Sequence, residues 1–90
     1  MLPQMRLRAD GLTWREIEGE TVLLDLRSST YFRTNRTGTR LLRVLADGCE
    51  REALVATLTG DFGLSAEQAG ADADAFVAQL EQRGLLDDAS

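Results

Sequence analysis

The sequence predicts an α+β fold in which a three-stranded antiparallel sheet is followed by three α-helices. Residues 12–34 contain three β-prone segments separated by turn-forming residues, and residues 35–83 contain three segments with apolar residues at helical spacing. A sheet that is apolar on one face must cover that face, which three short amphipathic helices can do. Because 90 residues suffice for one hydrophobic core, we expect a single domain over residues 1–90.

The three predicted strands are short and lie close together in the sequence. The first spans Leu12–Glu18, and Gly19 supplies the turn into the second, Thr21–Leu26. Alternation in the second strand groups Val22, Leu24 and Leu26 on one face and Leu23 and Asp25 on the other. The third strand, Thr30–Thr34, is β-branched and aromatic, and Met1–Arg8 is expected to add a short extended segment. If the strand order follows the sequence, the third strand lies at an edge of the sheet.

The first two predicted helices are bounded by residues that favour helix ends. Asn35 is the expected N-cap of the first helix, and Asp47-Gly48 ends it. Its apolar stripe consists of Gly38, Leu41, Leu42 and Leu45. The second helix runs from about Glu50 to Thr59 and is broken by residues 60–63, Gly-Asp-Phe-Gly. Its inner face is expected to comprise Ala53, Leu54, Thr57 and Leu58.

The third predicted helix begins at Ser65, which has the capping-box spacing to Gln68, and ends near Arg83. Its apolar stripe consists of Ala69, Ala73, Phe76, Val77 and Leu80. Gly84 stops this helix, and the two leucines that follow it, Leu85 and Leu86, can fold back onto the core. We expect a thin core in which aromatic residues carry much of the packing: Trp14, Phe32, Phe62 and Phe76.

Charge is unevenly distributed along the chain, whose formal net charge is −5. Residues 1–48 carry eight arginines and six acidic residues, whereas residues 49–90 carry two arginines and nine acidic residues. The first half could therefore attract an acidic peptide, and the second would repel nucleic acid. The sequence shows no run of 18 apolar residues and no signal-peptide core, so we expect a cytoplasmic protein without a membrane partner.

The residue types needed for catalysis or metal binding are scarce. The chain has no histidine, and its single cysteine, Cys49, can form neither an internal disulfide nor a zinc site. Ser28 and Ser29 lie in a turn without a neighbouring base, and Asp72 and Asp74 do not share a helix face. We therefore expect no catalytic residue, no metal and no cofactor. We interpret Cys49 as a small residue at a helix start rather than as a reactive thiol.

Three helices beside a sheet also suggest a winged-helix DNA-binding regulator, whose third helix would enter the major groove. Residues 65–82 contain no lysine or arginine but four acidic residues, Glu67, Asp72, Asp74 and Glu81. DNA-binding helices rely on cationic contacts with phosphates, so this charge disfavours the regulator and a nucleic-acid partner.

A more specific pattern extends over residues 22–48, VLLDLRSSTYFRTNRTGTRLLRVLADG. It contains a Leu-Leu-Asp strand at Leu23–Asp25, followed by an aromatic pair, Tyr31 and Phe32. Asn35 comes next, and Thr37 and Gly38 form a Thr-Gly step at the start of the first helix. The tail adds Asp72, Phe76 and Leu80 at intervals of four, followed by Arg-Gly-Leu-Leu.

In order and spacing, these motifs resemble the PqqD-like family of leader-peptide-binding domains, the RiPP recognition elements of ribosomally synthesised peptides. The resemblance covers nearly the whole chain and is greatest to the stand-alone leader-binding proteins of lasso-peptide biosynthesis. Two positions depart from the family pattern. Thr34 stands where leucine is usual, which predicts looser packing under the third strand, and Cys49 replaces a polar residue at a helix start.

The resemblance implies a winged helix-turn-helix-like fold and a non-catalytic protein that captures a precursor's leader peptide as an added β-strand. It implies a pocket between the third strand and the third helix. The candidate peptide-binding residues are then Thr30, Tyr31, Phe32, Arg33 and Thr34 on the strand, and Asp72, Ala75, Phe76 and Gln79 on the helix. It also implies a separate cysteine protease that removes the leader, and a cyclase. The alternatives are a chaperone for a radical-SAM maturation enzyme and a structural subunit that docks through its sheet edge.

Several of these residues also fit a purely structural role. Phe76 could belong to the core, and Tyr31 could simply face solvent. Arg33 is followed by three arginines on one side of the first helix, Arg36, Arg40 and Arg43. We interpret these residues as ion-pair partners of acidic residues elsewhere in the protein, rather than as residues that steer an acidic leader peptide. An open strand edge allows a weak homodimer as well as a monomer.

Overall fold

The computed structural model describes residues 4–88. The strands are β1 (Met5–Leu7), β2 (Leu12–Ile17), β3 (Glu20–Asp25), β4 (Thr30–Thr34) and β5 (Leu86–Asp88), and the helices are α1 (Arg36–Asp47), α2 (Arg51–Phe62) and α3 (Ala66–Gln82). β2, β3 and β4 form an antiparallel sheet in that order, and β1 pairs with β5 in a second, two-stranded sheet. The predicted α+β class is confirmed. β1 lies within the extended segment expected over Met1–Arg8, of which residues 1–3 lie outside the described residues.

The β2–β3 hairpin closes through a two-residue turn at Glu18 and Gly19. Ile17 pairs with Glu20, and the two turn residues have φ angles of 55° and 85°. Two consecutive positive φ angles define a type I′ turn, whose twist matches that of the flanking strands. The first strand of this hairpin therefore ends at Ile17, one residue before its predicted end, and the second begins at Glu20, one residue earlier than predicted.

The sheet turns its less apolar face toward the helices. On β3, Thr21, Leu23 and Asp25 are buried, whereas Val22 and Leu24 are only partly buried and Leu26 is 59% exposed beyond the strand end. Each buried polar side chain has a partner: the hydroxyls of Thr21 and Thr39 lie 2.6 Å apart, and Asp25 pairs with an arginine. The alternation of residues in the sequence separated the two faces of the strand. It could not show that hydrogen-bond partners from distant segments would satisfy the buried polar side chains of the inward face.

The predicted N-caps of α1 and α3 are confirmed. The Asn35 side chain accepts a hydrogen bond from the Gly38 backbone N–H at 3.0 Å, and the Ser65 hydroxyl accepts one from the Gln68 N–H at 3.1 Å. These bonds satisfy backbone donors that have no partner in the first turn of a helix. The expected stripe of α1 is buried along its length.

The predicted end of the second helix was wrong. α2 continues through Gly60 to Phe62 and ends at Gly63, whose φ of 66° is the left-handed conformation of a helix C-cap. A glycine inside a helix costs only about 1 kcal/mol relative to alanine, which the packing of the rest of α2 offsets. Gly63, rather than Gly60, is the residue that stops the helix.

The core is built from aliphatic residues rather than aromatic ones. Leucines from all three helices are fully buried, and they are joined by small α3 residues and two sheet residues: Leu41, Leu42, Leu45, Leu54, Leu58, Leu80, Ala69, Ala73, Leu23 and Phe32. The expectation that Trp14 and Phe62 belong to the core was wrong, because they are 37% and 36% exposed. Trp14 lies on an edge strand and Phe62 in the last turn of α2, where the core does not reach.

Cys49 lies where the chain enters α2, as its structural interpretation predicted. It is buried, and its backbone exchanges two hydrogen bonds with Met5, which fastens β1 to the helical layer. Burial raises the pKa of the Cys49 thiol. A buried thiol with a raised pKa is a poor nucleophile, so Cys49 acts here as a small packing residue.

Arg8 links three separate parts of the chain. Its guanidinium donates to the Asp25 carboxylate at the end of β3 and to the Gly84 carbonyl after α3, both at 2.6 Å. Its backbone N–H donates to Leu85 at 2.8 Å, which carries the β1–β5 pairing onward. The two charged side chains are only 12% and 9% exposed, so this ion pair is largely withdrawn from water.

The Arg8–Asp25 pair predicts a loss of stability in acid. Burial alone would raise the pKa of Asp25, but the hydrogen bonds from Arg8 and from the Arg27 backbone N–H outweigh it and lower that pKa. A carboxyl with a lowered pKa in the folded state stabilises the fold fully above its unfolded pKa of about 3.9, and the contribution is lost as pH falls toward the folded value. The pair is thus strongest at neutral pH.

We therefore expect Asp25→Asn to destabilise the protein at pH 7, and the difference from wild type to shrink progressively as pH falls below about 4. Urea unfolding at several pH values, followed by circular dichroism, measures this difference. A difference that stays constant as the pH is lowered would contradict the assigned role of the pair.

Candidate functional site

β4 has a strand neighbour on one side only. It pairs with β3 from Thr34 to Thr30, and none of the other strands in residues 4–88 pairs with its far side. In an antiparallel strand, alternate residues direct their N–H and C=O groups to opposite sides. β4 therefore has a row of backbone donors and acceptors along its outer edge that can pair with another extended segment.

A cleft lies beside this open edge, between β4 and α3, and consists of two adjoining pockets. The Gly38 pocket has a volume of about 320 Å³ and is lined by Thr34, Asn35, Thr37, Gly38, Leu41, Leu58, Asp72, Ala75, Phe76 and Gln79. The Arg83 pocket has a volume of about 520 Å³ and is lined by Tyr31, Phe32, Arg33, Gln79, Gln82 and Arg83. Gln79 lines both pockets, so the two pockets lie next to each other along the strand.

The structure brings together eight of the nine residues predicted for the site. Those that line the cleft are Tyr31, Phe32, Arg33, Thr34, Asp72, Ala75, Phe76 and Gln79. Thr30 does not line it; its hydroxyl lies 2.6 Å from that of Ser28 in the turn before β4. Thr30 remains a candidate through its backbone, because it belongs to the open strand.

Phe76 packs against the core and also forms a wall of the Gly38 pocket. It is partly buried, and its ring meets that of Phe32 edge-to-face with centroids 6.1 Å apart. Aromatic pairs at this distance and angle attract one another beyond the area that they bury. This contact joins α3 to β4 and sets the width of the cleft between them.

Tyr31 lies on the opposite face of the sheet from Phe32. It is 62% exposed and pairs across the strands with Leu24, on the sheet face that points away from the helices. The structure thus agrees with its solvent-facing interpretation, although its position on β4 still places it at the end of the Arg83 pocket.

Gly38 allows α1 to begin directly against β4. A β-carbon at this position would lie 1.7 Å from Thr34 Oγ1, 2.8 Å from Thr34 Cβ and 3.0 Å from Phe76 Cε1. Such contacts are far shorter than van der Waals distance. The glycine of the Thr-Gly step is therefore a packing requirement of the cleft, and Thr34 occupies the space next to it.

Two of the three α1 arginines, Arg40 and Arg43, agree with the structural interpretation, whereas Arg36 forms no ion pair with the described acidic side chains. Arg40 donates to Asp61 through Nε and Nη2, at 3.1 and 2.7 Å, and Arg43 pairs with Glu16. Both pairs are exposed and link α1 to neighbouring elements. Neither arginine lines the cleft.

Sequence reasoning missed Gln82 and Arg83 as site residues. They continue the α3 face that lines the cleft, whose members recur at spacings of three and four: Asp72, Ala75, Phe76, Gln79, Gln82 and Arg83. This spacing places them on one helix face and could have identified both residues from the sequence. Leu58 could not have been found in this way, because it reaches the cleft from α2.

Within the described range of the chain, no group of acidic or cysteine side chains is arranged to hold a metal ion. Over the same range, no helix combines the length and apolarity needed to cross a bilayer. The chemistry available in the cleft is therefore backbone pairing, apolar contact, and hydrogen bonding by amide, carboxylate and guanidinium groups.

These features define a class of small α+β domain in which an open sheet edge borders a helix-lined cleft. Residues 20–86 match the family described as coenzyme PQQ synthesis protein D (PqqD). The match extends over more than half of the chain, and the chain belongs to this family. A search of curated proteins gave no significant sequence match.

Two solved structures share the whole fold. TbiB1 in complex with the TbiA(beta) leader peptide has a TM-score of 0.84 and 25% identity, over 94% of this chain and 98% of that one. A lasso peptide synthetase B1 complexed with the leader peptide has a TM-score of 0.79 and 28% identity, over 91% and 95% of the two chains. The predicted winged helix-turn-helix-like, PqqD-like architecture is thereby confirmed.

The packing at Gly38 predicts that Gly38→Ala destabilises the fold by about 1–3 kcal/mol, even though alanine favours a helix by about 1 kcal/mol. The reason is the overlap with Thr34 and Phe76. Gly60→Ala is the matched control, because a β-carbon there has no atom within 4 Å. It is expected to stabilise the protein by about 0.5–1 kcal/mol.

Urea unfolding of the two variants measures both changes. Equal and stabilising effects of the two substitutions would show that α1 does not approach β4 as closely as described.

Proposed function

We propose that this protein binds the leader peptide of a ribosomally synthesised precursor, of the lasso-peptide type, as a fourth strand added to β4. The observation that carries the proposal is the open edge of β4 beside the two-pocket cleft. Membership of the PqqD family and the similarity to two leader-peptide complexes support it. All 90 residues would then serve one leader-binding domain.

The binding energy would come from two sources. Backbone hydrogen bonds along β4 would bind any extended peptide, largely independently of its sequence, and the side chains that enter the cleft would set its register. Side chains on one face of the added strand would enter the cleft, where the exposed methyl of Ala75 leaves room next to Phe76. Burying one large apolar side chain in the Gly38 pocket would contribute about 1.5–3 kcal/mol.

β2 also has an open edge, with two cavities of about 260 and 380 Å³ near it. The smaller one is lined partly by β1 and the residues that follow it, Arg6–Ala9, and the other is lined by residues of β2 and β3 alone. The Arg83 pocket beside β4 is larger than either, and the cleft runs along a helix whose exposed face offers both apolar and polar side chains. This difference favours β4 as the acceptor strand.

The role would be one of presentation rather than catalysis. The cleft contains no nucleophile with a neighbouring base, and α3 carries exposed carboxylates that disfavour a DNA-binding role. A protein that holds the leader by its backbone leaves the remainder of the precursor available to a separate leader protease and a cyclase. A chaperone for a radical-SAM enzyme would use the same cleft and differ only in its partner.

Filling the Gly38 pocket is expected to block binding. Ala75→Trp places an indole where a leader side chain would enter, and should weaken the affinity by about 10- to 100-fold, the equivalent of one apolar anchor. Fluorescence anisotropy with a labelled leader peptide, taken from a precursor that the protein binds, measures the change. Ala56→Trp, at an exposed position of α2 that lines neither pocket, is the matched control.

Unchanged affinity in Ala75→Trp, with the melting temperature preserved, would exclude the cleft as the binding site. Binding of the intact precursor without binding of the isolated leader would favour the structural-subunit alternative.

Backbone pairing itself is tested by a scan in which each peptide amide in turn is N-methylated. Because only alternate residues of a strand pair with one neighbour, we expect losses of about tenfold or more at every second position and tolerance between them. Losses confined to one or two side-chain positions, without this alternation, would contradict strand addition.

A further inference from the structure

Arg83 lies at the end of the cleft in a defined position. Its guanidinium carbon is 5.2 Å from the centre of the Phe32 ring, a cation–π contact that orients the group over the strand. Gln79, four residues before Arg83, and Gln82, directly before it, line the same pocket. Three side chains with N–H donors thus surround one space next to the open edge.

Among residues 4–87, whose side chains the structure describes, no acidic residue forms an ion pair with the guanidinium of Arg83. Five other arginines of the chain form ion pairs with carboxylates: Arg8, Arg27, Arg40, Arg43 and Arg51. Arg33, which also borders the pocket, is likewise unpaired within that range, and none of the side chains that line the pocket is a carboxylate. In a chain with 15 acidic residues, a pocket with two arginines and no carboxylate is a local exception to the overall charge.

We propose that the Arg83 pocket binds an acidic side chain, Asp or Glu, of the added peptide strand. The inference rests on the proposed function and deepens it by naming a specificity-determining residue. The stacked guanidinium keeps N–H groups free at its rim, and a carboxylate accepts such bonds more strongly than a neutral group does. The two glutamine amides can donate to the same carboxylate.

The position of the acidic residue relative to the apolar anchor follows from strand geometry. Phe32 and Thr34 lie on the same face of β4, and each borders a different pocket. Side chains on one face of an extended peptide recur every second residue, about 6.7 Å apart. On α3 the two pockets are centred about six residues apart, which at about 1.5 Å per residue is roughly 9 Å. A spacing of two peptide residues is the nearest match.

The test has two stages. A display library of random 15-residue peptides is selected against the wild-type protein, and enriched peptides are expected to carry Asp or Glu two positions from a large apolar residue. One such peptide is then synthesised with Glu or with Gln at that position. Both forms are titrated against wild type, Arg83→Gln and Arg15→Gln.

In wild type, Glu→Gln should weaken binding by about 3- to 10-fold, the range for a partly exposed hydrogen-bonded ion pair. Arg83→Gln should cost the same factor with the Glu peptide and nothing further with the Gln peptide. Arg15→Gln removes the same charge from an exposed position of β2 outside the pocket and should leave the ratio between the two peptides unchanged.

The remaining outcomes distinguish failure of this inference from failure of the proposed function. Enrichment of an apolar residue without an acidic one, or additive effects of Glu→Gln and Arg83→Gln, would overturn the inference and leave the proposed function standing. No enrichment of any extended peptide would overturn both. A similar loss of discrimination in Arg15→Gln would show general charge attraction and also overturn the assignment to Arg83.

Discussion

The edge-to-face contact between Phe32 and Phe76 is the interaction on which the candidate site depends. It joins β4 to α3 at a centroid distance of 6.1 Å, while Leu23 on the neighbouring strand supports Phe32 from within the sheet. Gly38 lets α1 start against the same strand without displacing Phe76. If either aromatic ring were lost, α3 would remain attached to the core through Ala69, Ala73 and Leu80, but its direct aromatic contact with β4 would be lost and the wall of the cleft would change.

An exposed strand edge is usually a liability, because it can pair with other chains and aggregate. Here the β4 edge is five residues long and carries Arg33, a charged residue of the kind that protects edges. The shortness of the strand limits non-specific pairing, and the adjacent cleft adds a requirement for matching side chains. Affinity from the backbone and selectivity from the cleft would therefore arise from different parts of one surface, which suits a protein that binds leader peptides.

The local features of the fold could be predicted from the sequence because they depend on local chemistry. The positive-φ turn at Gly19, the Asn35 and Ser65 caps and the β4 boundaries all follow from residues a few positions apart. Features that depend on distant contacts could not be predicted in this way. The inward face of β3 requires partners such as Arg8 and Thr39, and the exposure of Trp14 follows from its edge strand.

The candidate site likewise combines features that the sequence could predict with features that depend on distant contacts. The family motifs placed β4 and α3 together, but the Phe32–Arg83 contact depends on how far α3 extends past the strand. Amide hydrogen exchange, read residue by residue with and without a saturating leader peptide, tests the central claim most directly. The account predicts new protection at alternate amides of Thr30–Thr34 and none along Leu12–Ile17. Protection along β2 instead, or none on either strand despite binding, would contradict it.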